Sequence, residues 1–453
     1  MKENELLEKL NSSRAAGIFK ELYGDGEIGL ARQRYTKLIT GMVKGFPESE
    51  LTNTIGKLRV FSAPGRTELA GNHTDHNRGK VLAASIQLDC AAVVQVRNDN
   101  IVFFRSTGFP DVKIFLNDAS NMPDLLPKSS EEGTTDALIR GVAAELYKRG
   151  CKIGGFSANA ESTVLPGSGL SSSASLEVLI GRIFDSLYGD GSRTSLDLAQ
   201  IGQIAENVYF GKPCGLMDQV ACASGGAAAI DFTDVAKPII KQINVDFSAA
   251  GYAICIVNTG GSHANLTSDY ASIPSEMKAV AAVFGKSVLG ELDKDTVLSN
   301  IAEVRKKHGD RALLRAIHFF DECSRVDELV KLLAEMDNSG ETNHAVTVMD
   351  QYLNLINDSG DSSWKILQNV FSPGNPHEQG ITVGLALTKD FLNKQKLKGV
   401  CRVHGGGFAG TIQTYIPLHA VDEYREYMDK IFGAGSVTVL RIRPRGSIEL
   451  ELE

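Results

Sequence analysis

A run of small and hydroxyl-bearing residues, Leu165-Pro166-Gly167-Ser168-Gly169-Leu170-Ser171-Ser172-Ser173-Ala174, leads straight into an apolar, periodic segment. Glycine lets backbone come close to a ligand. The unpaired N–H groups of a helix's first turn, with its macrodipole, favour an anion. One serine suffices as a cap, so three after a Gly-x-Gly point to phosphate. A second run, Gly405-Gly406-Gly407-Phe408-Ala409-Gly410, satisfies G-x-G-x-x-G. A dinucleotide fingerprint needs a helix after it, but TIQTYIP follows, which reads as a strand. That leaves a tight hairpin turn, or a loop small enough to admit a bound phosphate. Gly285-Lys286-Ser287 has Val280 where a Walker loop needs glycine. His73-Thr74-Asp75-His76 offers two imidazoles and a carboxylate, but no further ligands at fixed spacing, so a metal site is poorly supported. Asp218 lies in Pro213–Gln219, flanked by Gly and Met rather than by a polar run.

These residues need elements to hold them. Residues 1–50 read as helical, with Leu6, Leu7 and Leu10 at helical spacing. Lys57–Ala63 reads as a strand that stops at Pro64-Gly65, and Val81–Val96, Ile101–Phe104 and Val112–Phe115 add more. Residues 134–149 and 172–188 are predicted helices. In the second, Leu176, Leu179, Ile180, Ile183, Phe184 and Leu187 form one apolar stripe. A helix over about 195–210 carries Leu198, Ile201, Ala205 and Val208 on one stripe, which leaves Glu206 facing solvent. Ala253–Asn258 is a buried strand, 265–370 mostly helical, and the end returns to strands. Val400–Val403 and Thr411–Ile416 flank the glycine loop, Val437–Ile442 follows, and Ile448, Leu450 and Leu452 alternate with glutamates. The mixture predicts two α+β lobes, residues 1–235 and 236–453.

Composition narrows the class. The 453 residues carry 47 Lys and Arg against 55 Asp and Glu, a net charge of −8, which disfavours a nucleic-acid binder. No apolar run is long enough to span a bilayer, and MKENELLEKL does not read as a signal peptide. Seven cysteines are scattered without a C-x-x-C pair, so neither a zinc site nor a disulfide framework is expected. The expectation is a soluble, cytoplasmic monomer that handles a small molecule, with no nucleic-acid or membrane partner.

LPGSGLSSSA and HGGGFAG resemble the second and third signatures of the GHMP small-molecule kinases, the family of galactokinase, homoserine kinase, mevalonate kinase and phosphomevalonate kinase. Gly65-Arg66-Thr67-Glu68-Leu69-Ala70-Gly71-Asn72-His73-Thr74-Asp75-His76-Asn77 resembles the first signature in its galactokinase form, G-R-V-N-L-I-G-E-H-T-D-Y-N. Ala205-Glu206, Pro213–Gln219 (PCGLMDQ) and Ser268-Asp269-Tyr270 agree with that branch. Asn72 stands where the family has glutamate, Glu68 where it has asparagine, His76 where it has tyrosine, and Cys401–His404 where it has S-R-M-T. The serine loop is one residue shorter before Gly169.

The resemblance implies a two-lobed GHMP-kinase-like α+β fold of mixed sheets and helices, with the active site in the cleft between lobes. It implies ATP and Mg²⁺, and phosphorylation of galactose at its anomeric C1 hydroxyl. Alternatives are a kinase for a sugar altered at C6 or C2 (galacturonate, arabinose, N-acetylgalactosamine) or a non-catalytic sugar sensor. Asp218 corresponds to the general base and Arg66 to its partner. Gly167, Ser168, Gly169, Leu170, Ser171, Ser172 and Ser173 correspond to the nucleotide loop. Glu206, with Ser173 or Ser172, corresponds to the Mg²⁺ ligands. Asn72, His73, Asp75, Gly215 and Tyr270 correspond to the sugar contacts, Asn72 near the C6 hydroxyl. An intact Ser171-Ser172-Ser173-Ala174 argues against the sensor.

Overall fold

The computed structural model describes residues 3–117, 123–164, 167–261, 266–338 and 342–452. Leu165 and Pro166 of the serine-rich run lie outside them, as does residue 265, the start of the predicted helical region. The first sheet contains β1 (Thr54–Ala70), β2 (Lys80–Arg97), β3 (Ile101–Ser106), β4 (Val112–Phe115), β5 (Phe156–Ser162), β6 (Ala227–Asp231) and β7 (Ile239–Ile243). The second contains β8 (Tyr252–Asn258), β9 (Val400–His404), β10 (Thr411–Pro417) and β11 (Val437–Leu440). A last short strand, β12 (Ile448–Glu449), returns to pair with β1. The first sheet runs β12-β1-β2-β5-β3-β4, with β6 on β2 and β7 on β6; the second runs β11-β8-β10-β9.

Side chains alternate across a strand, and here both faces are covered. Phe61, Ala92, Val94 and Phe104 join one core with the helices Thr135–Lys148 and Ser172–Tyr188. Their neighbours Val60, Ala91, Val93 and Phe103 join another with the helices Ser13–Tyr23 and Ile28–Lys44. That is why β2 reads as a continuous apolar run. A third core joins the sheets, with Leu69, Leu82 and Ile86 from the first and Ile254, Ile256 and Tyr415 from the second.

Two local features differ from the sequence expectation, and both place functional residues. β1 does not stop at Pro64-Gly65 but runs on to Ala70, with its register on β2 slipping between Pro64 and Arg66. A bulge accommodates a proline that has no N–H to give. A Cβ on Gly65 would lie 2.7 Å from the Leu170 carbonyl oxygen, so only glycine lets the serine loop lie this close. The predicted helix 195–210 becomes an α-helix, Ser195–Ile204, followed by a π turn, Ala205–Phe210. The wider turn rotates the face: Val208 is exposed, while Glu206 and Tyr209 turn inward.

Candidate active site

Arg66 and Asp218 meet at the centre. Past the bulge, the Arg66 N–H donates to the Leu170 carbonyl (3.0 Å), which fixes its strand against the serine loop. Its guanidinium grips Asp218 with two parallel bonds, Nε to Oδ1 and Nη2 to Oδ2, both 2.7 Å. Its Nη1 donates to the Gly169 carbonyl. Asp218 is the second residue of the helix Met217–Ser224, where the dipole favours a negative charge. Ser171, held in the left-handed region at φ 60°, directs its hydroxyl to Asp218 Oδ2. Burial pushes the Asp218 carboxyl up. The Arg66 charge and hydrogen bonds, then Ser171, outweigh it and hold the pKa below the ordinary value. Asp218 is therefore an ionised carboxylate of low basicity.

The serine loop carries left-handed Gly167 (φ 72°) and Gly169 (φ 70°) and enters the helix Ser172–Tyr188. Leu170 is buried beneath it, and the Ser168 carbonyl takes a long bond from Thr411 Oγ1 (3.5 Å). The serine that occupies the N-cap, Ser171, makes no side-chain cap bond. Its hydroxyl and that of Ser173 are directed to carboxylates instead, Ser173 Oγ to Glu206 Oε1 at 3.0 Å. Two hard oxygens side by side suit Mg²⁺, which takes one or two protein ligands and fills the rest with phosphate and water. Behind them, the Gln219 amide donates to both Glu206 Oε2 (2.9 Å) and Glu177 Oε2 (3.0 Å). Burial and then the nearby Glu206 charge push the Glu177 carboxyl well up. Lys212 Nζ donates to Glu206 Oε1 at 2.9 Å.

The remaining matched residues gather around the loop after β1. His73, at φ 59°, donates Nε2–H to the Gly406 carbonyl (2.9 Å). Burial drives its pKa down to about 3, so it is neutral with Nδ1 as an acceptor. Gly215 lies against Asp75; a Cβ there would stand 2.0 Å from Asp75 Oδ2. Tyr270 packs on Gly406, where a Cβ would stand 2.5 Å from the ring, and its hydroxyl donates to the Gly407 carbonyl (3.1 Å). Asn72 is buried, and its amide N–H groups go to Glu68 (3.1 Å) and the Gly405 carbonyl (2.7 Å). Its Oδ1 accepts from Asn369 (2.8 Å). Glu68 in turn pairs with buried Arg402 at 2.7 Å.

Several residues here carry no motif. His318 and Glu322, one turn apart on the helix Ile301–Asn338, clamp the loop from behind. Glu322 Oε1 accepts from the Gly71 N–H (3.0 Å) and Ser359 (2.6 Å). His318 Nε2 donates to the Asn72 carbonyl (2.9 Å), and Ser362 lies 2.9 Å from Nδ1. Burial alone would raise the Glu322 carboxyl; the charges of Arg325, His318 and Arg402 hold it at about 2. Both residues sit within a long amphipathic region, where periodicity reports only that they face inward. His404, seen in the sequence as a departure, bridges Thr67 (3.0 Å) and Thr411 (3.2 Å), while Gln413 donates to Thr67 (2.7 Å).

A Gly-Ser loop at a helix N-terminus, an arginine-clamped aspartate and a serine–glutamate oxygen pair stand where the resemblance to GHMP small-molecule kinases places its nucleotide loop, base and metal ligands. Residues 137–226 match the GHMP kinases N terminal domain, and residues 50–96 match the galactokinase galactose-binding signature. The galactokinase of Streptomyces coelicolor is 30% identical over 388 residues, 84% of this chain and 91% of that protein. The galactokinase of Clostridium tetani is 31% identical over 281 residues, 62% and 69%. In fold, Lactococcus lactis galactokinase complexed with galactose superposes with a TM-score of 0.70 at 24% identity, covering 96% of this chain and 99% of that one. The mevalonate kinase of Methanococcus jannaschii gives 0.55 at 13%, covering 85% and 99%. The chain belongs to the galactokinase family. Among the described residues, no helix is long and apolar enough to cross a membrane.

Proposed function

We propose that this protein is a galactokinase, transferring the γ-phosphoryl group of ATP to the anomeric C1 hydroxyl of galactose. The observation that carries the reading is the Arg66–Asp218–Ser171 constellation, set between the serine loop and the loop of His73 and Asp75. Phosphoryl transfer needs positioning and charge stabilisation more than covalent chemistry. Asp218, as carboxylate, accepts a hydrogen bond from the attacking hydroxyl and takes its proton as the oxygen–phosphorus bond forms. Its low basicity places that transfer late. Arg66 keeps Asp218 ionised and oriented, and its charge faces the developing negative charge. The N–H groups at the start of Ser172–Tyr188 receive phosphate oxygens. Ser173 and Glu206 would hold Mg²⁺, which would supply positive charge against the phosphates. His73 Nδ1 and Asp75 accept bonds from sugar hydroxyls.

Relaxed discrimination at C6 is inferred from Asn72 being neutral; its amide N–H groups and Oδ1 are engaged by Glu68, Gly405 and Asn369, and the Glu68 carboxylate beside it is the alternative that would keep specificity strict. No charge at Asn72 repels a C6 carboxylate. The two lobes of the sequence analysis, residues 1–235 and 236–453, form the proposed division, with β7 pairing back onto β6 and β12 onto β1. ADP release measured across galactose, glucose, galacturonate, arabinose and N-acetylgalactosamine tests the reading. Turnover is expected with galactose, and galacturonate is expected to gain on galactose relative to an Asn72→Glu variant. No turnover with any sugar would favour a sensor, and unchanged C6 ratios in Asn72→Glu would show that residue 72 does not face C6.

A further inference from the structure

Glu206 is a buried carboxylate held in a ring of polar partners. Its side chain is 3% exposed, and a second buried carboxyl, Glu177, shares the Gln219 amide with it. The cation touching it is Lys212, whose Nζ lies 2.9 Å from Oε1, the same oxygen that receives Ser173. Lys212 is tied to Glu206 twice, since its backbone N–H also donates to the Glu206 carbonyl at 3.1 Å. Left-handed Gly211 (φ 82°) ends the π turn just before it, and Pro213 follows. The arrangement thus folds the chain back so that the lysine reaches its carboxylate. Yet the lysine side chain as a whole is 62% exposed, so the chain that carries the ammonium has room to swing away from Glu206 into water.

We infer that Lys212 is a built-in counter-ion that the metal ion replaces. This rests on the reading of Ser173 and Glu206 as the metal's ligands. In the empty enzyme Lys212 neutralises Glu206 beside Glu177. Ser173 and Glu206 would hold a divalent cation, whose charge would take the place of the ammonium's. The displaced lysine stays tethered by its backbone bond, next to the loop that receives the phosphates, and its charge then serves the nucleotide. A single residue so keeps the empty site neutral and adds a cation to the loaded one.

The test is manganese(II) binding to the nucleotide-free protein, followed by electron paramagnetic resonance, in wild type, Lys212→Met, Lys212→Arg and Glu206→Gln. A surface ion pair contributes up to about 1 kcal/mol and this one has a buried carboxylate, so losing the competitor should tighten Mn²⁺ binding in Lys212→Met by at least about fivefold. Lys212→Arg should stay near wild type. In EDTA, Lys212→Met should melt below wild type, and added Mn²⁺ should close the gap. Its KM for MgATP should rise while its KM for galactose does not. Equal Mn²⁺ affinity in wild type and Lys212→Met, including none measurable in either, overturns the exchange. If Glu206→Gln bound Mn²⁺ as wild type does, the metal-site reading itself would fall instead.

Discussion

Replacing Arg66 with methionine removes both 2.7 Å bonds to Asp218 while keeping a long apolar stem in the buried slot. Breaking a buried ion pair costs about 3–5 kcal/mol. Asp218 keeps 31% of its side chain exposed, so water recovers part of that, leaving about 2–3 kcal/mol. With the Arg66 charge and hydrogen bonds gone, the Asp218 pKa should rise. The sign follows from the folded value lying below the ordinary one. The pair stabilises the protein above about pH 4 and ceases to do so as pH falls through the folded pKa. In wild type, kcat should therefore be level from neutrality down through about pH 5. In Arg66→Met the acid limb should move up from its wild-type position, because burial then acts on Asp218 without the Arg66 charge to oppose it. At neutral pH, kcat should fall by about 10²–10³-fold, the usual cost of removing one charge-stabilising donor. Arg66→Lys, which keeps the charge but not the fork, should lie between them. The assay is kcat for galactose against pH, with melting temperature recorded at each pH. If Arg66→Met lost activity while its acid limb stayed at the wild-type position, Arg66 would not set the Asp218 pKa.

Other outcomes follow from the same geometry. Glu206→Gln keeps the Ser173 contact but loses the charge, so it should raise the Mg²⁺ concentration needed for half-maximal rate and weaken MgATP binding. Galactose affinity, read by calorimetry, should be little changed, and EDTA should abolish turnover. Gly215→Ala would put a methyl 2.0 Å from Asp75 Oδ2, so KM for galactose should rise with a much smaller change in kcat for whatever is bound; an unchanged KM would remove Asp75 from the sugar site. Glu322→Ala leaves the Gly71 N–H and Ser359 unpaired beside Arg325, and should cost about 3 kcal/mol of unfolding free energy. Glu322→Gln can still accept from Gly71 and should recover part of the loss. Because the Glu322 carboxyl is held at about 2, its contribution should persist above about pH 4.5 and fade as acid approaches that value, as denaturant titrations at several pH values would show.

Much of this site was legible because the chemistry dictates short, contiguous motifs. A phosphate loop must be small and must open a helix, and Gly167–Ser173, the segment proposed for that role, shows both features in the sequence. Gly406 and Gly407 are needed because Tyr270 and Asn369 press on that backbone, and the strand after them was readable from TIQTYIP. What could not be read depends on contacts between distant segments. Periodicity put Glu206 in water and Val208 in the core, and a π turn of six residues reverses both. Pro64-Gly65 looked like a strand end, but a bulge carries β1 through it and thereby aims Arg66. His318 and Glu322 hold the loop from some 250 positions away in sequence, with no local spacing to mark them. Asn72 was visible as a departure, but its use by Glu68, Gly405 and Asn369 needs the folded chain.

The central claim is that this centre delivers phosphate to one hydroxyl of one sugar. Phosphorus-31 NMR of a reaction containing the protein, MgATP and galactose tests it most directly, because coupling identifies the carbon that carries the new phosphate. The account predicts ADP together with a sugar phosphate whose phosphorus couples to the anomeric proton, and no such signal with Asp218→Asn. Coupling to the C6 protons, inorganic phosphate as the sole product, or undiminished product from Asp218→Asn would contradict it.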